Sequence, residues 1–181
     1  MNVLDLFMGT GSATQPFREC PKGHRVVGVD LVGPAEIRCD VRKLPRWVRE
    51  YPWDCVWMSD PCQPYSLAGL ARQKHERPTR SELELTEIGL AIATAAPRWA
   101  RENVRGALAF APPPTFRYGS RYIWTNVPVG FIDKMPPSKY GGSLWNRPED
   151  GKVARLPAWL TGQIPPPLSN AFHRAVCEEA E

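Results

Sequence analysis

Short apolar runs recur through the first hundred residues and predict buried β-strands. Most are apolar along nearly their whole length, which is typical of strands buried on both faces of a parallel sheet. Each is only a few residues long, as strands are. The runs occupy residues 2–7 (NVLDLF), 24–31 (HRVVGVDL), 36–42 (EIRCDVR), 53–59 (WDCVWMS) and 98–104 (RWARENV).

Segments with helical character lie between and after these runs. Ser12 is the expected cap of a helix over 12–20, and Ser81 with Glu84 is the expected capping box of a helix over 81–96. Strand, helix and strand in close succession predict an α/β fold with a mainly parallel sheet and helices on both faces. Further helices are expected over residues 43–51 and 168–181.

Regular patterning weakens in the second half, where many of the twenty prolines lie. We predict a core over 1–110 and a Pro/Gly/aromatic-rich segment over 111–161, with one or two short strands near Arg121–Asn126. Residues 162–181 should return to the core. The polar, basic stretch 67–80 is expected to be a long loop.

Composition narrows the class of protein without naming a function. The chain has 181 residues, 43% hydrophobic and 23% charged, which suits one globular domain. No apolar run approaches the roughly 20 residues that span a bilayer. The first residues lack the basic region of a secretory signal, so we expect an intracellular protein that does not enter membranes. A net charge of +4 is compatible with an anionic partner.

Cysteine and histidine spacing gives no sign of a metal centre. The five cysteines are odd in number and contain no CxxC pair, which argues against a disulfide framework and a zinc site. His24, His75 and His173 are far apart in the chain. We therefore expect no metal.

Glycines and acids follow the first three predicted strands. Gly9 and Gly11 allow a tight turn and a close approach of a ligand to the backbone, although a simple turn also explains them. Asp30 ends the second strand, where an acid can accept both hydroxyls of a ribose. Asp40 closes the third and could accept from an adenine amino group. Together at one sheet edge they favour an adenosine ligand over solvated strand ends.

A cysteine follows the fourth strand, at the same predicted edge. Cys62 lies between Pro61 and Gln63 in the segment SDPCQPYS, and a nucleophilic role is favoured there over ordinary core packing. Glu102 ends the neighbouring fifth strand and could hold the edge of a base beside the thiol. Alternatively, Glu102 is an ordinary solvated acid at the end of a strand.

Taken together, these segments resemble the DNA (cytosine-5) methyltransferases. The matches are DLFMGTGS, Asp30, CDVR, PCQPYS and ENV, in the family's order, with a weaker match of GQIPPPLSNAF near the end. The resemblance implies a Rossmann-like S-adenosylmethionine-dependent methyltransferase fold, with S-adenosylhomocysteine as product. The implied cofactor residues are Phe7, Gly9, Thr10, Gly11, Asp30, Leu31, Asp40, Val41, Pro61 and Gln163.

The same resemblance implies a catalytic pair and a DNA-binding set. Cys62 would add to carbon 6 of cytosine while Glu102 holds the base, so the thiol should be partly exposed and its pKa depressed. The cytosine must flip out of the duplex. The implied substrate residues are Gln63, Ser66, Asn103, Arg72, Lys74, Arg117 and Arg121.

Several positions depart from the family pattern. Asp30 replaces the usual glutamate, and Gly162-Gln163 stands where Gly-Asn is usual. About forty loop-like residues replace a sizeable target-recognition domain, so the chain resembles a small phage or prophage form, cytoplasmic in its host. A partner chain or dimer could supply target recognition. The basic residues of 72–80 and 134–155 either contact phosphates or are simply solvated.

Two other functions remain open from the sequence. Asp60-Pro61 followed by an aromatic resembles the motif of amino (N4/N6) DNA methyltransferases, which need no cysteine. A catalytically silent protein that binds cofactor or DNA would also suit the altered late motifs. An RNA substrate is a third alternative within the enzyme reading.

Overall fold

A single seven-stranded sheet organises the chain. The computed structural model describes residues 1–66, 78–130 and 164–178. The strand order is β3-β2-β1-β4-β5-β7-β6. The strands are β1 (Asn2–Leu6), β2 (Arg25–Asp30), β3 (Ile37–Arg38), β4 (Cys55–Met58), β5 (Trp99–Val104), β6 (Phe116–Tyr118) and β7 (Arg121–Thr125).

Five adjacent strands pair in parallel, and the sheet closes with a hairpin. β3, β2, β1, β4 and β5 pair in parallel, so their carboxyl ends share one edge. β7 pairs antiparallel with both β5 and β6. The strand order changes direction at β1: β2 and β3 follow on one side of β1, and β4 and β5 follow on the other. Such a switch point leaves a crevice outside the strand ends, where ligands bind in open α/β sheets.

Within the described ranges, four α-helices connect or cover the strands: α1 (Gln15–Glu19), α2 (Arg46–Glu50), α3 (Arg80–Ala95) and α4 (Pro166–Glu178). The same ranges contain three 3-10 helices, Val41–Lys43, Gln63–Tyr65 and Arg105–Phe110. None of the helices among the described residues is long and apolar enough to cross a membrane.

The expected helix caps are wrong in detail. The first helix begins at Gln15 without a side-chain cap, and Ser12 Oγ instead accepts a hydrogen bond from the backbone of Ile164. In the third helix, Thr79 and Glu82 form the capping box two residues before the expected pair. Thr79–Glu82 and Ser81–Glu84 both have the S/T-x-x-E spacing of a capping box, and the helix uses the first pair.

Two apolar cores lie on opposite faces of the sheet. Val3 and Trp57 point to one face, where they pack with Phe17 of α1 and Phe172 of α4. The strand residues next to them point to the other face, beneath α2 and α3, because side chains alternate along a strand. The expected mainly parallel sheet with helices on both faces is therefore confirmed.

Two acids lie at different positions from those predicted. Glu102 is inside β5, two residues before its end, and Asp40 lies beyond β3 as the cap of the 3-10 helix Val41–Lys43. β5 continues beyond Glu102 because β7 pairs with it as far as Val104. The predicted loop 67–80 lies partly, and the segment 134–155 wholly, outside the described residues.

Candidate active site

The loop after β1 has an unusual backbone. Phe7, Gly9 and Gly11 all have positive φ, of 59°, 57° and 76°. This region suits glycine but is costly for phenylalanine, about 1–3 kcal/mol, and such conformations cluster at functional sites. The loop therefore holds a conformation that a simple turn does not require.

The carboxylate of Asp30 anchors this loop. Its Oδ2 accepts from the backbone N–H of Gly9 at 2.8 Å, and its Oδ1 accepts from Val32 N–H at 2.9 Å. A carboxylate offers about four lone-pair positions, so each oxygen keeps one for a further donor. The two ribose hydroxyls predicted for Asp30 fit that remaining capacity. Leu31, beside it, is 68% exposed and presents an apolar surface at the same edge.

The other predicted cofactor residues lie in different surroundings: some line a cavity, and others are ion-paired or buried in the core. Thr10 and Gly11 line a cavity of about 240 Å³ beside α1. This volume is below the roughly 300 Å³ at which small-molecule sites begin, so the cavity could take only part of a nucleoside ligand. Asp40 is ion-paired with Arg42, and Val41 is buried in the core beneath α2. Gln163 lies outside the described residues.

Cys62 lies at the head of a short helical turn after β4. It caps the 3-10 helix Gln63–Tyr65, its carbonyl accepts from the N–H of Tyr65 at 3.0 Å, and its side chain is half-buried. Gly106 packs against the same turn: a Cβ added there would lie 1.7 Å from the carbonyl oxygen of Tyr65. Only glycine permits this close approach of the 3-10 helix after β5 to the cysteine turn.

A buried network that the sequence did not predict fixes the start of this turn. Asp60 accepts from Nε and Nη2 of Arg101 at 2.8 and 2.9 Å, and from Thr86 Oγ1 at 2.6 Å. Thr86 also bonds the hydroxyl of Tyr65 at 2.9 Å. The Arg101 guanidinium stacks on Trp124, 4.9 Å from its ring centroid. The sequence feature that could have indicated this network is Arg101, a charged residue within a predicted buried strand, directly before Glu102.

Glu102 is held beside the cysteine by a cation from the hairpin. It is 6% exposed, and Arg121 Nη1 donates to its Oε1 at 2.8 Å. Burial raises the pKa of the Glu102 carboxyl, while Arg121 acts in the opposite direction. The structure thus brings Arg121, predicted as a DNA contact, onto the carboxylate predicted to hold the base.

The electrostatics around the thiol differ from the expectation. The pKa of Cys62 is raised, first by burial and then by the negative charge of Glu102; Arg121 lowers it by less. The predicted depression of the thiol pKa is therefore wrong for this state of the protein. A depressed pKa needs a cation closer to the sulfur than Glu102 is.

The remaining predicted substrate residues have varied partners. Asn103 is 1% exposed; its amide donates to the carbonyl of Asp60 and accepts from Val104 N–H, so it secures the cysteine loop. Gln63 is exposed and Ser66 half-buried, on the cysteine turn, as is Pro61. Arg117 lies on exposed β6, over the ring of Tyr122. Arg72 and Lys74 lie outside the described residues.

Two of the histidines, far apart in the chain, are close together in the fold. The ring centroids of His24 and His173 are 5.9 Å apart. The long chain separation is closed by the packing of α4 against α1.

No family model matches the chain, and no curated protein matches it either. Among solved structures, it is similar to the methyltransferase EhMeth of Entamoeba histolytica, at 19% identity and a TM-score of 0.35. The match covers 59% of this chain and 38% of that protein, so the chain spans well under half of its length.

Proposed function

We propose that the protein transfers a methyl group from S-adenosylmethionine to carbon 5 of cytosine in DNA, through a covalent adduct at Cys62. One observation carries the proposal: a half-buried thiol at the switch-point edge lies under the influence of a buried, arginine-held glutamate on the next strand. The backbone of both residues is held by neighbouring structure, since Gly106 packs against the cysteine turn and Glu102 lies within the paired strand β5, and positioned groups of this kind favour catalysis.

The loops that follow β1 and β2 support the proposed binding of S-adenosylmethionine. Gly9 and Gly11 let a ligand approach the backbone, and Asp30 retains acceptor capacity for a ribose. Leu31 and Val32 offer exposed apolar surface for an adenine ring. When bound, S-adenosylmethionine supplies the methyl group as an electrophile. The strand order is that of the Rossmann fold, 3-2-1-4-5-6, with β7 inserted before the last strand.

The chemistry assigned to the chain's own residues begins at the sulfur. The Cys62 thiolate adds to carbon 6 of the cytosine, and the ring electrons displaced make carbon 5 nucleophilic. Glu102 takes up a proton when the base binds and then donates to N3, which stabilises the charge entering the ring; its raised pKa lowers the cost of that protonation. After methylation at carbon 5, transfer of the carbon-5 proton to a water molecule expels the thiolate and restores the aromatic ring.

Arg121 has a proposed positioning role. By pairing with Oε1 of Glu102 it fixes the carboxyl group, to which the Ser59 hydroxyl also hydrogen-bonds. Since Arg121 is also the cation that favours the thiolate of Cys62, its approach to the sulfur would lower the pKa of the thiol. DNA as the substrate rests on the likeness of the motifs, together with the net charge of +4.

The amino-methyltransferase alternative loses support from the buried network. Such an enzyme needs the Asp60 carboxylate and a nearby aromatic ring facing the substrate. Here both oxygens of Asp60 are taken by Arg101 and Thr86, and its side chain is fully buried. Tyr65 is 4% exposed and bonded to the same threonine. Neither group faces an incoming base.

The silent binding protein is the second candidate, and one observation favours it. The raised pKa of Cys62 leaves little thiolate at neutral pH in this state. A chain that kept the cofactor loops but had lost turnover would look the same. Enzyme and binding protein therefore differ only in what happens after the cofactor binds.

A paired binding and transfer experiment separates them. Isothermal titration with S-adenosylmethionine and transfer of tritiated methyl to duplex DNA are run on the wild type, Cys62→Ser and Cys39→Ser. The proposal expects binding by all three and transfer by the wild type and Cys39→Ser, with bisulfite-resistant cytosine as product. Binding without transfer supports the silent protein; retained transfer in Cys62→Ser refutes the covalent route.

A further inference from the structure

Two cysteines and two histidines meet at the amino edge of the sheet, opposite the candidate active site. Cys20 follows α1, and His24 immediately precedes β2. His173 and Cys177 lie four residues apart on α4, so they share one face of that helix. We call these four residues the Cys2His2 cluster. None of them belongs to the proposed methyl-transfer site.

Their separations suit a tetrahedral metal ion. The Sγ of Cys177 lies 3.5 Å from Nε2 of His24 and 3.4 Å from Nε2 of His173. With zinc bonds of about 2.3 Å to sulfur and about 2.0 Å to nitrogen, tetrahedral sulfur and nitrogen ligands are about 3.5 Å apart. Donor atoms of Cys20, His24 and His173 all lie within 4.8 Å of one another. Cys177 contacts both imidazoles but is not one of these three, so a four-ligand site requires side-chain rotation to bring the two sulfur atoms together.

We propose that Cys20, His24, His173 and Cys177 bind one Zn²⁺ ion and thereby fasten α4 to the start of β2. Two thiolates with two imidazoles select zinc among the common cellular metals. Four protein ligands make a closed site with no open position, which is the arrangement of structural rather than catalytic zinc.

The surroundings of the Cys2His2 cluster agree with this role. All four side chains are half-buried, and the ring of Phe17 meets the edges of both imidazoles. Two thiolates balance the charge of a Zn²⁺ ion, so the occupied site adds no net charge beside the nearby cations, which are the amino terminus, Lys22 and Arg174.

One contact must change when the ion binds. The amino group of Met1 lies 3.3 Å from Nδ1 of His24. Zinc at Nε2 leaves the ring proton on Nδ1, where it faces the amino group, so this contact has to rearrange. Zinc binding releases protons from the two thiols.

The test measures zinc directly on the protein as purified, and again after the protein has been stripped with a chelator and reloaded with Zn²⁺. We expect one zinc per chain by elemental mass spectrometry, and an affinity determined by competition with a chromophoric chelator. Cys20→Ser and Cys177→Ser each weaken that affinity by more than about 100-fold, beyond the ~10- to 100-fold cost of losing an outer-sphere partner. Cys39→Ser and Cys62→Ser, which also remove one thiol, leave it unchanged.

A spectroscopic arm protects the test against variants that misfold. Cobalt(II) bound to the wild type should show tetrahedral visible bands and a thiolate charge-transfer band, and zinc-edge X-ray absorption should show two sulfur and two nitrogen neighbours. A wild type that takes up no zinc overturns the proposal. So does a shell of only oxygen and nitrogen, or equal zinc affinity in the cluster variants and the controls.

Discussion

At the scale of single residues, Glu102 has opposite effects on the two halves of the proposed chemistry. Its negative charge raises the pKa of the Cys62 thiol, yet the same carboxyl group holds the base. Glu102→Gln removes the charge and releases Arg121, and both changes favour the thiolate. The variant should therefore react faster with iodoacetamide at Cys62 while transferring methyl groups more slowly.

The size of this effect follows from the thiolate fraction. Each unit by which the thiol pKa falls raises the thiolate fraction at neutral pH by about tenfold, so several-fold faster alkylation is expected. Glu87→Gln, which removes a carboxylate on exposed α3, should change neither rate. Slower alkylation in Glu102→Gln would show that the glutamate does not act on the sulfur.

Asp5 gives a prediction about stability and pH. The residue is 1% exposed, Thr14 donates to its Oδ2 at 2.6 Å, and Oδ1 has no hydrogen-bond partner among the described residues. Burial raises the pKa of Asp5 to about 7 from its usual 3.8. The folded state therefore binds the proton more tightly, so this stabilisation is full below pH 3.8 and is lost as pH rises through 7.

Asp5→Asn should remove this pH dependence. Relative to wild type, the variant gains about 2–3 kcal/mol in unfolding free energy between pH 5 and pH 8, from the shift in pKa. Urea denaturation at the two pH values measures the difference. An offset between variant and wild type that is the same at both would contradict the raised pKa.

At the scale of elements, the cysteine turn depends on one glycine in the 3-10 helix after β5. A methyl group at Gly106 meets the carbonyl of Tyr65, a backbone atom that cannot rotate away. Gly106→Ala should push the turn outward, lower the unfolding free energy by about 1–3 kcal/mol and reduce methyl transfer strongly. Gly130→Ala, where an added Cβ meets nothing within 4 Å, should leave both unchanged. Unaltered transfer in Gly106→Ala would show that the position of the turn is not critical.

The buried ion pair between Asp60 and Arg101 of β5 carries another stability prediction. Arg101→Gln removes the cation and the two hydrogen bonds that it donates to the buried Asp60 carboxylate, and should cost about 3–5 kcal/mol in unfolding free energy. Arg46→Gln breaks an exposed pair on α2 and should cost no more than about 0.5 kcal/mol. Urea denaturation of both variants gives the comparison; equal costs would mean that the buried pair does not anchor the cysteine loop.

At the scale of the whole molecule, the sequence predicted what depends on local pattern. Apolar runs located β1, β2, β3, β4 and β5, since a buried strand is marked by its own residues. The hairpin was anticipated only near Arg121–Asn126, because the reversed direction of β7 is decided by which strand it pairs with. Asp30 was placed correctly at the end of β2.

What the sequence could not predict depends on contacts between distant segments. Arg101 and Asp60 are 41 residues apart, and Cys177 and His24 are 153 apart. No local spacing marks such pairs, so the buried network and the Cys2His2 cluster were missed. The raised pKa of Cys62 was missed for the same reason, because it depends on burial and on Glu102 rather than on the residues beside the cysteine.

The whole fold brings the proposed cofactor loops and the cysteine turn to the same edge of the sheet, where β1, β2 and β4 end. The most direct test of the proposed chemistry is covalent trapping. The protein is incubated with S-adenosylmethionine and a duplex containing 5-fluorocytosine, whose fluorine blocks the final elimination. The account predicts a denaturation-resistant adduct that peptide mass spectrometry maps to Cys62, present in Cys39→Ser and lost in Cys62→Ser. A protein that binds the cofactor and the duplex yet forms no adduct at Cys62 would contradict it.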